Sequence, residues 1–430
     1  MKLYIVSILM IWSLDSYCQQ YWLSVGSPVN HSINRSHFID TVNGWAAGDS
    51  GIIIHTSNSG QSWVQQSTGI STFAIDDIFF INQRLGWALA NDFFFAGSVV
   101  LRTSNGGANW TSSRYPDSTL VFNAIYFLDS LTGFMSGYSG LIYKTTNAGN
   151  TWTNCYIDTS YCSYLYLFPK NRFYFINSQT GFVCGGQIDI QGIIWRTTNG
   201  GDHWYTYCVA SEPLYDIKAT TPNKIISNGG DFEYGLSTVI STDGGNSWNY
   251  ELNNIIGKGS SIAYRTPREV WVPLSFSQTF AVNIDSGNIG TAWREIQTPD
   301  NRIINSTVFM TPTFGWSFGS GGSIYRYNTS VIGLSENGSE NLPAEFEIHQ
   351  NFPNPFNPST TISYTLVNSG MVKIDIFDIG GKLIKELFNG YQPSGYHDIN
   401  WNANDASSGI YFCRVSGGPV NKTIKMLLVK

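Results

Sequence analysis

Charge is scarce in this sequence. Asp, Glu, Lys and Arg supply only 13% of 430 residues, and 24 Lys plus Arg against 30 Asp plus Glu leave a net charge of −6. Without a basic surplus, a general attraction to nucleic acid or anionic lipid is excluded. Cysteine occurs six times, too seldom for a disulfide scaffold in a chain of this length. Histidine is as sparse, and the cysteine spacings make no zinc pattern, so neither a metal nor another cofactor is expected. After Leu14 no segment offers 18 uninterrupted apolar residues, which leaves the mature chain no membrane-spanning helix. No Ser/His/Asp, Cys/His or phosphate-loop constellation emerges, because the Gly-Gly pairs all belong to turns.

What is abundant is glycine, at 43 residues, and aromatics, at 15%. With the many Asn, Ser and Thr, this mix favours strands and tight turns over helices, and an all-β protein of two or three domains is predicted. Residues 1–18 read as a signal peptide: Lys2, the apolar run Leu3 to Leu14, then Asp15-Ser16-Tyr17-Cys18. Small Ser16 and Cys18 suit cleavage before Gln19, and Tyr17 speaks against lipid attachment at Cys18. Cys155, Cys162, Cys184, Cys208 and Cys413 then remain in an oxidising compartment, an odd number that cannot pair completely within the chain. Cys155 with Cys162 offers a local bridge; otherwise all are read as small buried residues.

An octamer of the form [ST]-[ST]-[ND]-x-G-x-x-W recurs five times, at Thr56 to Trp63, Thr103 to Trp110, Thr145 to Trp152, Thr197 to Trp204 and Ser241 to Trp248. A sixth copy, Asn283 to Gly287, is stretched before Trp293. The pattern asks for a tight turn: Asn58, Asn105, Asn147, Asn199 and Asp243 accept backbone NH groups two or three residues on, and Gly60, Gly107, Gly149, Gly201 and Gly245 take a positive φ. Trp63, Trp110, Trp152, Trp204 and Trp248 fall back onto apolar surface. These are structural roles.

Each octamer follows an aromatic strand that breaks at a polar turn and resumes at Gly-Trp or Gly-Phe. The second residue of that pair, or its weaker equivalent, is Trp45, Trp87, Phe134, Phe182, Ile226, Trp271 and Trp316. The intervals of 42 to 48 residues match a four-stranded propeller blade. Seven second strands against six octamers leave one blade short of an outer strand. Trp22 precedes Trp45 by 23 residues, as Trp293 precedes Trp316, so Tyr21 to Val29 is predicted to close the seventh blade and hide its edge. Residues 19–328 then form a seven-bladed β-propeller.

The Asp-box (BNR) propellers resemble this region, and the Gly-Trp strand combined with the Thr-Asn-Gly-Gly turn looks most like the photosystem II assembly and stability factors. That resemblance implies the fold, and an assembly factor for a membrane complex as one reading of function. Asp-box propellers also include sialidases and xyloglucan hydrolases, so a carbohydrate-active enzyme is a second reading. Sialidases resemble one another in an Arg-Ile-Pro strand, three carboxylate-clamping Arg and a Tyr-Glu nucleophile. Here Arg-Ile-Pro is missing, the first blade supplies only Arg35, and Arg102, Arg196 and Arg326 fall in third strands at the rim. The adjacent Asp76 and Asp77 are read as solvent-facing. No catalytic residue is assigned, and a non-catalytic propeller that binds a protein or glycan is the preferred reading.

Residues 329–345 read as a linker rich in Gly, Ser and Asn. Residues 346–430 form short alternating strands behind a lead-in, Pro353-Asn354-Pro355-Phe356-Asn357-Pro358, whose prolines forbid helix. A small immunoglobulin-like sandwich is predicted. The lead-in, the turn Asp378 to Lys382 with Gly380 and Gly381, the strand from Gly409 through Tyr411, and the terminal Lys425-Met426-Leu427-Leu428 closely resemble the C-terminal sorting domain of type IX secretion substrates. The resemblance implies recognition by the type IX secretion machinery of Bacteroidetes-like bacteria and delivery to the cell surface or the extracellular medium.

In a propeller, loops joining second to third strands, and outer to next inner strands, gather at one end of the ring, the usual recognition end. The candidate ligand face is therefore Asp92, Phe93, Phe94, Asp231, Phe232 and Tyr234, with Phe276 nearby, since aromatics beside acids suit stacking on sugars or anchoring a peptide. At the opposite end His55, Arg102, Lys144, Arg196 and Arg326 share one repeat position and are considered as a basic arc.

Overall fold

The computed structural model describes residues 21–92, 97–138, 140–160, 162, 168–331, 347–348, 350–366, 370–392, 395–417 and 420–430. The expected signal peptide and most of the expected linker lie outside these residues. The chain divides into two compact units, residues 1–332 and 333–430.

Among the described residues the first unit holds seven sheets, antiparallel except for one added strand in blade 4. Blade 2 is typical: inner strand Phe73–Phe80, then Gly86–Asp92, Ser98–Thr103 and the outer strand Thr111–Arg114, each hydrogen-bonded to the next. Inner strands of successive blades pack side by side, and that of blade 7 (Ile304–Thr311) meets that of blade 1 (Ile33–Phe38), which completes the ring. Trp22–Val25 pairs antiparallel with Ile324–Tyr327, Trp22 opposite Tyr327, as the outermost strand of blade 7. The indole of Trp22 is 1% exposed and lies among Trp271, Phe280, Phe309 and Tyr327, with centroids 5.3 to 5.7 Å away.

The Gly-Trp motif is explained by a close approach. A Cβ on Gly44, Gly86, Gly133, Gly181 or Gly315 would lie 2.3 to 2.5 Å from the ring of Phe38, Phe80, Phe127, Phe175 or Phe309, six residues earlier on the same hairpin. The aromatic after the glycine then stacks on the corresponding Phe of the following blade: Trp45 on Phe80 at 3.7 Å, Trp87 on Phe127 at 3.6 Å, Phe134 on Phe175 at 5.0 Å. The apolar core is accordingly divided among the blade junctions, where aromatic stacking adds to simple burial.

The octamer turn clasps the preceding blade. Thr103 Oγ accepts the Gly107 NH at 2.9 Å and donates to Asn105 Oδ1 at 2.9 Å, and that oxygen accepts the Asn109 NH at 2.9 Å. The same pattern holds at Thr56, Thr145, Thr197 and Ser241. The Asn oxygen thus reaches the NH four residues on rather than two or three; Asp243 bonds both the third and the fourth. The five octamer glycines have φ between +74° and +88°. Carbonyls of the turns accept from the preceding blade's indole, Trp45 Nε1 to Gly106 O and Trp87 Nε1 to Ala148 O, both at 3.1 Å.

Blade 4 carries a fifth strand, Tyr156–Asp158, running parallel to its outer strand His203–Ala210. This brings Cys162 beside Cys208, and these two form the disulfide. The expected local bridge of Cys155 to Cys162 is therefore incorrect: Cys155 packs against the blade 3/4 core, where burial pushes its thiol up to about 12.

The second unit is a sandwich of two sheets. One contains Glu347–Ile348, Ser359–Leu366 and Gly395–Asn402, the other Leu383–Gln392, Gly370–Asp378, Gly409–Gly417 and Val420–Leu428. The Pro-rich lead-in is pinned to the last strand: Asn354 Oδ1 accepts the Leu427 NH at 2.7 Å, and the Phe356 NH donates to Leu427 O at 2.9 Å. The Phe356 ring enters the core 5.2 Å from Trp401. Asp378 Oδ1 accepts the NH groups of Gly380 and Lys382 at 2.9 and 3.0 Å, the reason for an acid at the head of that turn.

Candidate ligand-binding end of the ring

Six of the seven inner strands carry one extra residue at the same level. The register jumps between Ile33 and Arg35, Ile75 and Asp77, Phe122 and Ala124, Lys170 and Arg172, Leu214 and Asp216, and Ile304 and Ser306. Such bulges re-aim side chains, and here they turn polar groups toward the axis and the neighbouring blades. Asp77 Oδ2 accepts the Ile125 NH of the next blade at 2.9 Å, and Asp216 Oδ2 the Ile262 NH at 2.7 Å. Ser261 Oγ does the same for Thr307 at 3.0 Å.

Across the axis, Arg172 of blade 4 bonds Asp77 of blade 2 at 2.5 Å, and its Nε stands 3.5 Å from Asp216 of blade 5. Arg35 of blade 1 donates to Ser260 O of blade 6 at 3.3 Å. Burial opposes the charge on Arg172, but Asp77 and Asp216 outweigh it and raise its pKa; burial and Arg172 lower that of Arg35. Arg172 thus pairs with two carboxylates, while Arg35 is held by a backbone carbonyl within electrostatic reach of the same two acids. The reading of Asp76 and Asp77 as solvent-facing is corrected here: Asp77 is 2% exposed. Asp76, the bulged residue, receives a hydrogen bond from Asn91 at 2.5 Å, and burial pushes its carboxyl up to about 6. Farther down, burial brings the His37 imidazole to about 4 beside Phe79, 4.6 Å away. Arg172 and Asp216 were not singled out from the sequence.

At the end of the ring where recognition is expected, Phe232 and Tyr234 occupy the turn between Ile225–Asp231 and Gly235–Ser241 of blade 5 and are 63% and 50% exposed. Phe276 of blade 6, also 63% exposed, lies 6.4 Å from Phe232. Ile190 of blade 4 and Ile256 between blades 5 and 6 are exposed as well. Asp231, expected on an exposed loop, is instead 2% exposed; its Oδ1 accepts the Glu233 and Tyr234 NH groups at 3.0 and 2.7 Å and so shapes the turn. Asp92 is half-buried at the end of its strand, and Phe93 and Phe94 lie outside the described residues.

At the opposite end three members of the expected basic arc are engaged by neighbouring groups. His55 stacks on Trp45 at 4.5 Å, Lys144 bonds Gly200 O and Asp202 of the next octamer at 2.8 and 2.6 Å, and Arg196 bonds Asn246 of the next at 2.8 Å. Lys144 and Arg196 thus link one blade to the next, His55 packs within its own blade, Arg102 is half-buried and Arg326 is exposed.

The molecule is thus an Asp-box β-propeller followed by a separate sandwich. Residues 16–328 match the family described as photosynthesis system II assembly factor YCF48, and the chain belongs to that family. Residues 350–430 match the secretion system C-terminal sorting domain, which marks the chain for type IX export to the cell surface or beyond. Among solved structures, YCF48 bound to D1 peptide is 19% identical, with TM-score 0.57 over 72% of this chain and 97% of that one. YCF48 from Cyanidioschyzon merolae is 16% identical, with TM-score 0.56 over 72% and 99%. A GH74 xyloglucanase from Xanthomonas campestris is 10% identical, with TM-score 0.56 over 80% of this chain and 59% of the enzyme. No curated protein sequence matches. Among the described residues no helix is long and apolar enough to cross a membrane.

Proposed function

We propose that this protein is an exported, non-catalytic propeller that captures a protein or glycan ligand on the blade 4 to 6 sector of its recognition end. The observation that carries this reading is the exposed pair Phe232 and Phe276, 6.4 Å apart, with exposed Tyr234 on the same turn as Phe232. Large aromatics held out of a core on short rigid turns offer contact area at little entropic cost. A family member holding a D1 peptide supports a peptide as one class of ligand; its own partner is not carried over. Export in this reading uses both the N-terminal signal peptide and the sorting domain.

The mature protein, screened on a glycan array and by pulldown from cell surfaces, is expected to capture a ligand. Phe232→Ala with Tyr234→Ala should weaken capture at least tenfold, whereas Arg326→Ala at the other end should not. Equal capture by all three proteins sinks the assignment of this end. A chain ending at Asn341 is expected to accumulate in the periplasm of a host with type IX export; its appearance at the surface would contradict the role of the sorting domain.

A second reading, a carbohydrate-active enzyme, is favoured by Asp76, whose carboxyl at about 6 has the proton affinity of a general acid. Release of reducing sugar from a polysaccharide, abolished by Asp76→Asn, would establish it in place of the first.

A further inference from the structure

Three carboxylates from three separate loops meet on the recognition end. Asp189 lies in the turn between the second and third strands of blade 4, Glu212 in the connection to blade 5, and Asp231 at the end of the second strand of blade 5. Each offers an oxygen, and these oxygens lie within 4.8 Å of one another. The Asp189 NH donates to Glu212 Oε2 at 3.3 Å, which ties two of the loops together.

Exposed acids often cluster without consequence, but this cluster is built differently. Glu212 and Asp231 are only 3% and 2% exposed. Asp231 spends Oδ1 on its own turn, while Oδ2 is sealed from solvent and has no hydrogen-bond partner. A buried, unpartnered carboxylate oxygen is among the costliest groups a fold can retain, and its presence calls for a counter-charge. Among the described residues no Lys, Arg or His forms an ion pair with any of the three.

We infer that Asp189, Glu212 and Asp231 bind one Ca²⁺ ion that bridges blades 4 and 5. An all-oxygen, triply negative donor set selects a hard cation over zinc. Oxygens up to 4.8 Å apart fit a sphere with Ca–O bonds of about 2.3 to 2.6 Å, whereas Mg²⁺ at about 2.0 to 2.1 Å needs a tighter set. Asp189 is on the exposed side, so water completes the coordination there. The ion holds the turn bearing Ile190 and the turn bearing Phe232 and Tyr234 in fixed relation. The three ligands escape a search for metal-binding spacings because they stand 23 and 19 residues apart on different loops.

The test uses the full exported chain, stripped with EDTA and then freed of chelator. Calorimetric titration with CaCl₂ is expected to show one ion per chain with a dissociation constant of about 10⁻⁴ M, and about 10 mM Ca²⁺ should raise the melting temperature by about 5 °C. Asp231→Asn retains an acceptor for the turn and should bind Ca²⁺ at least tenfold more weakly, with its melting temperature in EDTA equal to or above that of the wild type. Glu212→Gln serves the same purpose if the first variant does not fold. The assignment is overturned if the wild type gives no binding heat and melts equally in Ca²⁺ and EDTA, if a folded variant keeps the full Ca²⁺ response, or if Mg²⁺ binds as tightly as Ca²⁺.

Discussion

The ring and the sandwich are built from the same element yet distribute their apolar cores in opposite ways. In the sandwich, Phe356, Ile362, Ile374, Trp401, Cys413 and Leu428 belong to one continuous cluster between two sheets. The ring has seven clusters, one at each blade junction, and its inner strands also carry a buried ion-pair group, Arg172 with Asp77 and Asp216. Their edges differ too. The blade 2 outer strand is the short, polar Thr111–Arg114, while the sandwich ends one sheet with the ten-residue Leu383–Gln392, where Leu383, Ile384 and Tyr391 are exposed. A ring therefore depends on neighbours meeting in order around a circle, whereas a sandwich depends on two faces meeting once.

The sharpest way to break the comparison is to open the ring. Deleting Trp22–Val25 removes a fully buried indole and a paired strand, and should cost about 5 kcal/mol or more. Urea denaturation should show the ring transition displaced and the sandwich transition unmoved; a shift in both would mean that the two units do not unfold separately. The converse change, Phe356→Ala, should cost about 3 to 5 kcal/mol and affect only the sandwich.

The polar axis can be probed through pH. The folded-state pKa of Asp76 is raised from 3.8 to about 6, so the folded ring holds a proton that the unfolded chain has released between those values. The associated stability is present at low pH and lost as pH rises through about 6. Asp76→Asn removes this dependence and should make the ring more stable by about 2 kcal/mol at pH 7.5, with the difference vanishing below about pH 4. Equal stability gains at both pH values would separate the effect from ionisation. The smallest expected effect is at a single clasp: Thr103→Val keeps the shape but leaves the Gly107 NH without its acceptor, at about 1 kcal/mol by thermal melting.

Much of the ring was legible because its signals are local or periodic. Gly-Trp pairs recur since a Phe ring must lie on a bare backbone, and the octamer recurs since one hydroxyl and one Asn or Asp oxygen close the same turn in five blades. The position of Trp22 followed from spacing alone. The charged axis was not legible. A single-residue bulge leaves no compositional trace, and Arg172 meets Asp77 from 95 positions away. The disulfide was missed for a related reason: Cys162 and Cys208 are 46 residues apart, and only the parallel Tyr156–Asp158 strand makes them neighbours. On the proposed ligand face, the aromatic turn of blade 5 could be anticipated, but the burial of Asp231 could not, since an acid that shapes its own turn looks in sequence like one that greets a ligand.

The closing strand has a consequence for how the protein is made. Trp22 leaves the ribosome, and crosses any membrane, some three hundred residues ahead of Tyr327, with which it must pair. Until then six blades can stack as they emerge, each on its predecessor, while the earliest strand waits without a partner. Bringing such distant segments together carries the entropy of a very long loop and places the final step of folding at the end of translocation. A chain halted partway would remain an open arc, with the edge of Ile324–Tyr327 or its predecessor bare to any other strand.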